Sequence, residues 1–326
     1  MLRRQLLGSG PLLAGTLAAG SLAVMSGHGR AAQAAELTGI DGWINTEPIS
    51  MPQLRGTVGL VNFWTYSCIN SRRPMMYLKR WHAEYGPLGL RVIGIHTPEF
   101  RFEHDRSNVE TYIRQEGILF SVGLDNKYET WNVFRNEAWP GFYLVNREGH
   151  VVLRREGEGY AYDIERAIRD ALALARSELV RHPGDDPDLS RIGSPETYFG
   201  AQHPTPQNIG QSPRLGTAEY SFSQASGPAL NEYLLDGTWS RQDERLVLAS
   251  GRGGLRFRFS AAKLHMVAGA PRTAAVRIRV DGHEMPPTEI GWPTLYTLVD
   301  GNTYGEHLLE LEADTPGLTL FSATFG

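Results

Sequence analysis

The chain has a single cysteine, Cys68, in 326 residues. One thiol excludes an intrachain disulfide and a zinc site built from cysteines alone. An excess of charge is also missing: the net charge is −4 and the basic residues are scattered. That distribution points away from nucleic acid and from an anionic membrane surface. Beyond the first residues there is no apolar run long enough to cross a bilayer. What remains is an ordinary apolar fraction, over a length that suits two globular domains better than one.

The N-terminus reads as a targeting segment. Arg3-Arg4 precede Leu6-Leu7, a Gly/Ala/Leu-rich stretch runs to about Met25, and Ala32-Gln33-Ala34 supplies small residues for cleavage near Ala34 or Ala35. Paired arginines favour the twin-arginine export route. Gly8, Gly10, Pro11, Gly15 and Gly20 weaken the alternative, an uncleaved anchor. Residues 1–35 are thus expected to be a signal, and the mature protein periplasmic or secreted, in an oxidising compartment.

The rest of the chain is organised around residues 59–74. Leu60, Val61, Phe63 and Trp64 have the character of a buried strand. A polar turn at 65–67 leads into a helix from Cys68 to about 85, with Pro74 inside it. A sulfur at a helix N-terminus meets free amides and the positive end of the dipole, which favour thiolate over thiol. Further strands are expected at 90–96 and 120–124, with helices at 103–115 and 126–134. A hairpin at 142–154 and a closing helix at 162–179 complete the unit. This is a thioredoxin-like α/β layout with a mixed central sheet and flanking helices, over residues 36–180.

Six prolines in 181–216 mark a linker, in which Ser194-Pro195-Glu196 has the pattern of a short helical turn. From 217 to 326 the helical period vanishes. Leu255, Phe257 and Phe259 alternate with Arg256 and Arg258, Val276 and Ile278 with Arg277 and Arg279, and Leu309 and Leu311 with Glu310 and Glu312. Period-two patterns separated by glycine turns predict an all-β antiparallel sandwich. Trp239, Trp292 and Tyr296 have rings suited to stacking on sugars or to filling that core.

Trp64-Thr65-Tyr66-Ser67-Cys68-Ile69-Asn70, Ile95-His96-Thr97-Pro98-Glu99-Phe100, Trp139-Pro140 and Ser194-Pro195-Glu196-Thr197-Tyr198-Phe199-Gly200 resemble the bacterial TlpA/DipZ-type thioredoxin-like proteins. The resemblance implies that Cys68 is the nucleophile and that Trp139-Pro140 is the cis-proline turn that binds substrate backbone. It also implies a tail like a carbohydrate-binding module, with a glycan as possible ligand. Ser71 falls where that family commonly has its resolving cysteine, and Asn62 where thioredoxins carry a buried acid. A chain without the resolving thiol has no second proton to move, so the two departures agree.

Monothiol exchange follows as the expected chemistry. Cys68 attacks a disulfide of a protein or of glutathione, supported by Trp64, Thr65 and Ser71. A separate membrane or periplasmic reductant restores the thiol. Neither a metal nor a cofactor is called for. Thr65, three residues before Cys68, also fits a one-cysteine peroxiredoxin-like peroxidase, although Val61 stands where that pattern has proline. The third expectation is a non-catalytic scaffold that binds glycan or protein through the sandwich. Arg72 and Arg73 read as a solvated helix face, and Glu99 as an exposed loop residue or a substitute acid.

Overall fold

The computed structural model describes residues 32–175, 179, 182, 185, 188–202, 215–224 and 227–326. Most of the expected signal, and residues 203–214 of the linker, lie outside these residues. Among the described residues no helix is long and apolar enough to cross a membrane.

The first domain runs β1 (Gly42–Ile44), β2 (Val58–Trp64), α1 (Ile69–Tyr85), β3 (Leu90–His96), α2 (Arg106–Glu116), β4 (Ser121–Leu124), α3 (Glu129–Val133), β5 (Gly141–Val145), β6 (Val151–Glu156) and α4 (Ala161–Ala171). Its six strands order as β1-β4-β3-β2-β5-β6. The pairs β2–β3 and β3–β4 are parallel, and the other pairs are antiparallel. Every residue of β2 is buried, as its unbroken apolar run requires of a central strand covered on both faces. Leu60 and Trp64 pack on one side of the sheet, Val61 and Phe63 on the other. Cys68 belongs to the second side.

Three expected elements change their bounds. The helix placed at 103–115 starts only at Arg106, because the Asp105 carboxylate accepts from Ser107 N at 2.9 Å and caps it. Residues 101–104 form instead a 3-10 turn that carries Glu103 inward. The helix at 126–134 shrinks to α3, since Tyr128 is left-handed (φ 61°). The closing helix stops at Ala171 rather than 179. Gln33 and Ala34, which the sequence sets at a cleavage point, lie on the domain: Gln33 bridges His150, and Ala34 N donates to Gly149 O at 2.9 Å.

The second domain contains β7 (Thr197–Tyr198), β8 (Gly216–Tyr220), β9 (Tyr233–Arg241), β10 (Leu246–Ser260), β11 (Lys263–Gly269), β12 (Ala274–Val280), β13 (His283–Ile290), β14 (Thr294–Asp300), β15 (Glu306–Ala313) and β16 (Thr319–Phe325). All pair antiparallel in one ten-stranded network folded over a core, a sandwich that approaches a barrel. The long β10 makes the fold-over possible. Its first residues pair with β16 and its last with β15, and bulges between Leu248 and Gly254 bend it midway. Phe257, Leu255 and Leu311 face the core as their alternation predicts. The expected linker is corrected at 197–198: no helical turn follows Ser194, and β7 is a strand of this sheet on β16.

The two domains meet directly. Ile69, Phe100 and the flanking Phe102 of the first pack with Tyr198, Val267, Leu295 and Phe321 of the second. The Phe102 and Phe321 rings are 4.6 Å apart. β16 is thereby covered on both faces, which explains its continuous burial where strict alternation was expected.

Candidate functional site

Cys68 occupies the N-cap of α1 with extended backbone (φ −86°, ψ 123°), at the end of the turn that leaves β2. Its carbonyl accepts from the amides of Ser71 and Arg72, both at 3.0 Å. The backbone amides of Ser71 and Asn70 hold its pKa down, although the sulfur makes no capping hydrogen bond to them. Burial acts the other way and is the larger effect: the residue is 6% exposed. The carboxylates of Glu99 and Glu196 push in the same direction as burial. The thiol pKa is therefore raised above its ordinary value, and the expected thiolate at neutral pH is corrected to a thiol. A helix start lowers a thiol pKa only where water or a cation shares the site, and here apolar side chains close around it.

The Trp139–Pro140 peptide is cis. Trp139 shares the packed cluster of Cys68, Phe63 and Trp131, and its indole N–H donates to Thr97 O at 3.0 Å. Asn62 is buried in β2 and its Nδ2 donates to Gly141 O at 3.1 Å, which ties the nucleophile's strand to the residue after Pro140.

Ser71 sits fully buried one turn into α1, and its hydroxyl accepts from Thr65 N at 3.3 Å. It closes the turn. Thr65 is equally buried and its hydroxyl donates to Glu103 at 2.5 Å. Trp64 does not join the sulfur: it faces the other side of the sheet, between His96 (5.0 Å) and Tyr112 (5.8 Å).

Arg72 and Arg73 are not a solvated face. Arg72 Nε donates to Tyr66 O at 2.6 Å, and its terminal nitrogens reach Thr294 Oγ1 (2.5 Å) and Leu295 O (3.3 Å) across the domain boundary. Arg73 pairs with Glu158 at 2.7 Å and donates to Phe325 O at 3.3 Å. Glu99 is not free either, since the Tyr198 hydroxyl donates to it at 2.5 Å. Of the three tail aromatics, Trp239 is fully buried, Trp292 stacks on Tyr66, and the Tyr296 hydroxyl donates to Trp292 O while accepting from Gly291 N. All three have internal work, so sugar stacking gains no support from them.

Two residues escaped the sequence. Glu196 reaches the sulfur's electrostatic surroundings from the second domain. Glu103 gathers five donors from the turns on either side of it. Its only local sign is its place three residues after Phe100, the spacing of a capping box.

Residues 28–154 match the AhpC/TSA family, and residues 194–326 match the thioredoxin like C-terminal domain family. Protein DipZ of Mycobacterium bovis is 33% identical over 301 residues, which are 90% of this chain and 43% of that protein. The chain thus spans less than half the length of this relative. Thiol-disulfide oxidoreductase YkuV of Bacillus subtilis is 24% identical over 139 residues, 42% of this chain and 93% of that one. A solved thiol-disulfide isomerase from Corynebacterium glutamicum is 23% identical, covers 44% of this chain and 98% of its own, and superposes with a TM-score of 0.39. The chain is a homologue of the DipZ proteins in which an AhpC/TSA-family redoxin domain is followed by a thioredoxin-like C-terminal domain.

Proposed function

We propose that the protein performs monothiol exchange through Cys68, outside the cytoplasm, on a disulfide-containing protein. The observation that carries this is that Cys68, at the start of α1, shares one packed cluster with Trp139, whose peptide bond to Pro140 is cis. After losing its proton, the Cys68 sulfur attacks one sulfur of the substrate disulfide. The old S–S bond breaks, a mixed disulfide forms, and the second substrate sulfur leaves as thiolate and takes up the proton. Pro140 and its neighbours hold the bound segment, Ser71 and Thr65 hold the turn, and Trp64 supports the strand from behind. Ser71 has no thiol, so release falls to the substrate's own second cysteine, to glutathione, or to a separate reductant protein. Such a cycle suits isomerisation or glutathione-dependent reduction. The twin arginines Arg3-Arg4 and the small residues after them support export. A scrambled-disulfide protein should regain activity faster with the wild-type chain and glutathione than with Cys68→Ser, and equal rates would refute the assignment.

The AhpC/TSA match favours a second chemistry, attack of the Cys68 thiolate on a peroxide. The O–O bond would break, Cys68 would become a sulfenic acid, and an alcohol or water would leave. Against this, the Thr65 proton is given to Glu103 and is not offered to a bound peroxide. Stoichiometric loss of hydrogen peroxide with sulfenic acid on Cys68 would establish the second chemistry, and its absence would leave disulfide exchange.

A further inference from the structure

We propose that Glu103 is the positioning residue of the redox turn, a single buried carboxylate that locks Cys68 and Glu99 into one arrangement. This rests on the assignment of Cys68 as the reacting group. Oε1 accepts from Thr65 Oγ1 (2.5 Å), Ser67 Oγ (2.6 Å) and Ser67 N (3.1 Å), all within the turn that delivers Cys68. Oε2 accepts from Glu99 N (2.6 Å) and Phe100 N (2.9 Å), in the loop that leaves β3. The carboxylate is fully buried, so no water competes for these donors. Two oxygens with about four lone-pair sites meet five donors, so every acceptor position of the carboxyl group is taken. An amide offers one acceptor oxygen and turns an NH2 group toward donors.

The consequence reaches the sulfur through the backbone. Ser67 precedes Cys68, and Thr65 O accepts from Cys68 N at 3.4 Å, so both ends of the turn are pinned by Glu103 or by groups bonded to it. The same carboxylate fixes Glu99, whose side chain takes the Tyr198 hydroxyl of the second domain. The charges that face Cys68 are Glu99 and Glu196, while those that feel Glu103 include Arg72, Tyr66 and Tyr128. Losing the Glu103 contacts loosens the turn and lets water reach the sulfur, which eases ionisation of a thiol held up mainly by burial.

The test measures alkylation of Cys68 by iodoacetamide against pH, in the full chain. Glu103→Gln should move the titration toward the ordinary thiol range and raise the rate at neutral pH about tenfold, one pH unit of titration. Ser67→Ala removes one donor, keeps the carboxylate, and should move the rate the same way by about threefold; it carries the test if Glu103→Gln does not fold. Glu165→Gln weakens another buried carboxylate contact, with Tyr85, and should lower stability without moving the profile. An unchanged or slower profile in both Glu103→Gln and Ser67→Ala, with stability alone reduced, would overturn the proposal. Alkylation reads this independently of disulfide exchange, so failure of the exchange assignment is seen separately, as an alkylatable Cys68 that forms no mixed disulfide.

Discussion

Tyr66, two residues before Cys68, stacks on Trp292 of the second domain, with ring centroids 5.6 Å apart and planes 20° from parallel. Its hydroxyl donates to Pro293 O at 3.1 Å, and its ring also stacks on His96 at 5.7 Å. The turn before Cys68 is therefore tied to both domains, with Arg72 as a second tie. The C-terminal sheet acts as a wall of the site and is no appended module.

Truncating that wall should be felt at the sulfur. Trp292→Ala should cost about 2 kcal/mol of stability, less than a fully buried ring, and should speed alkylation of Cys68. Trp239→Ala, in the sandwich core, should cost about 3–5 kcal/mol yet leave Cys68 kinetics unchanged. Denaturant midpoints and alkylation rates check the contrast.

Ser71→Cys should restore a dithiol. Ser71 lies one helical turn after the Cys68 cap, fully buried in the same turn. Oxidation should yield an internal disulfide and the chain should reduce insulin without added glutathione. The reduced variant should lose about 1 kcal/mol, because sulfur is a poorer acceptor for Thr65 N. Thiol counting before and after oxidation decides it. Two free thiols after oxidation would contradict the geometry.

Acid should destabilise the fold. Burial is the main cause that lowers His96 to about 3 and His265 to about 4. The unfolded chain binds these protons below about pH 6.5, so stability is full above that pH and is lost as pH falls toward the folded values. Asp125 opposes this: burial, countered by amide bonds from Trp131 and Thr130, raises it to about 6, which favours the folded state as pH falls from 6. Two histidines outweigh one carboxylate. The net loss between pH 7 and 5 should be on the order of 2 kcal/mol, and denaturant titration at the two pH values measures it. His96→Phe should flatten the dependence.

Much of this was legible in the residues. The buried run of β2, the lone cysteine after a polar turn, and the alternation of Phe257 and Leu311 carry local periods that survive folding. What stayed hidden depends on contacts remote in sequence. Glu103 resembles any first-turn helix charge until Thr65 and Ser67 are brought to it, 38 and 36 residues away. Arg72 resembles a solvated cation because nothing local announces Thr294, 222 residues on. The thiolate expectation failed for the same reason. The helix start is visible in sequence, but the buried cluster that holds the sulfur draws on β2, β3, α3, β5 and the Trp139 turn.

Trapping on Cys68 tests the exchange chemistry most directly. The native chain, incubated with a disulfide-bonded protein and quenched in acid, should carry one mixed disulfide on Cys68. Its rate of formation should rise about tenfold per pH unit through pH 6 to 9, as the thiolate fraction of a raised pKa demands. Cys68→Ser should carry none. A native Cys68 that stays unmodified at every pH, and reacts only once the chain is denatured, would contradict a redox role for this turn.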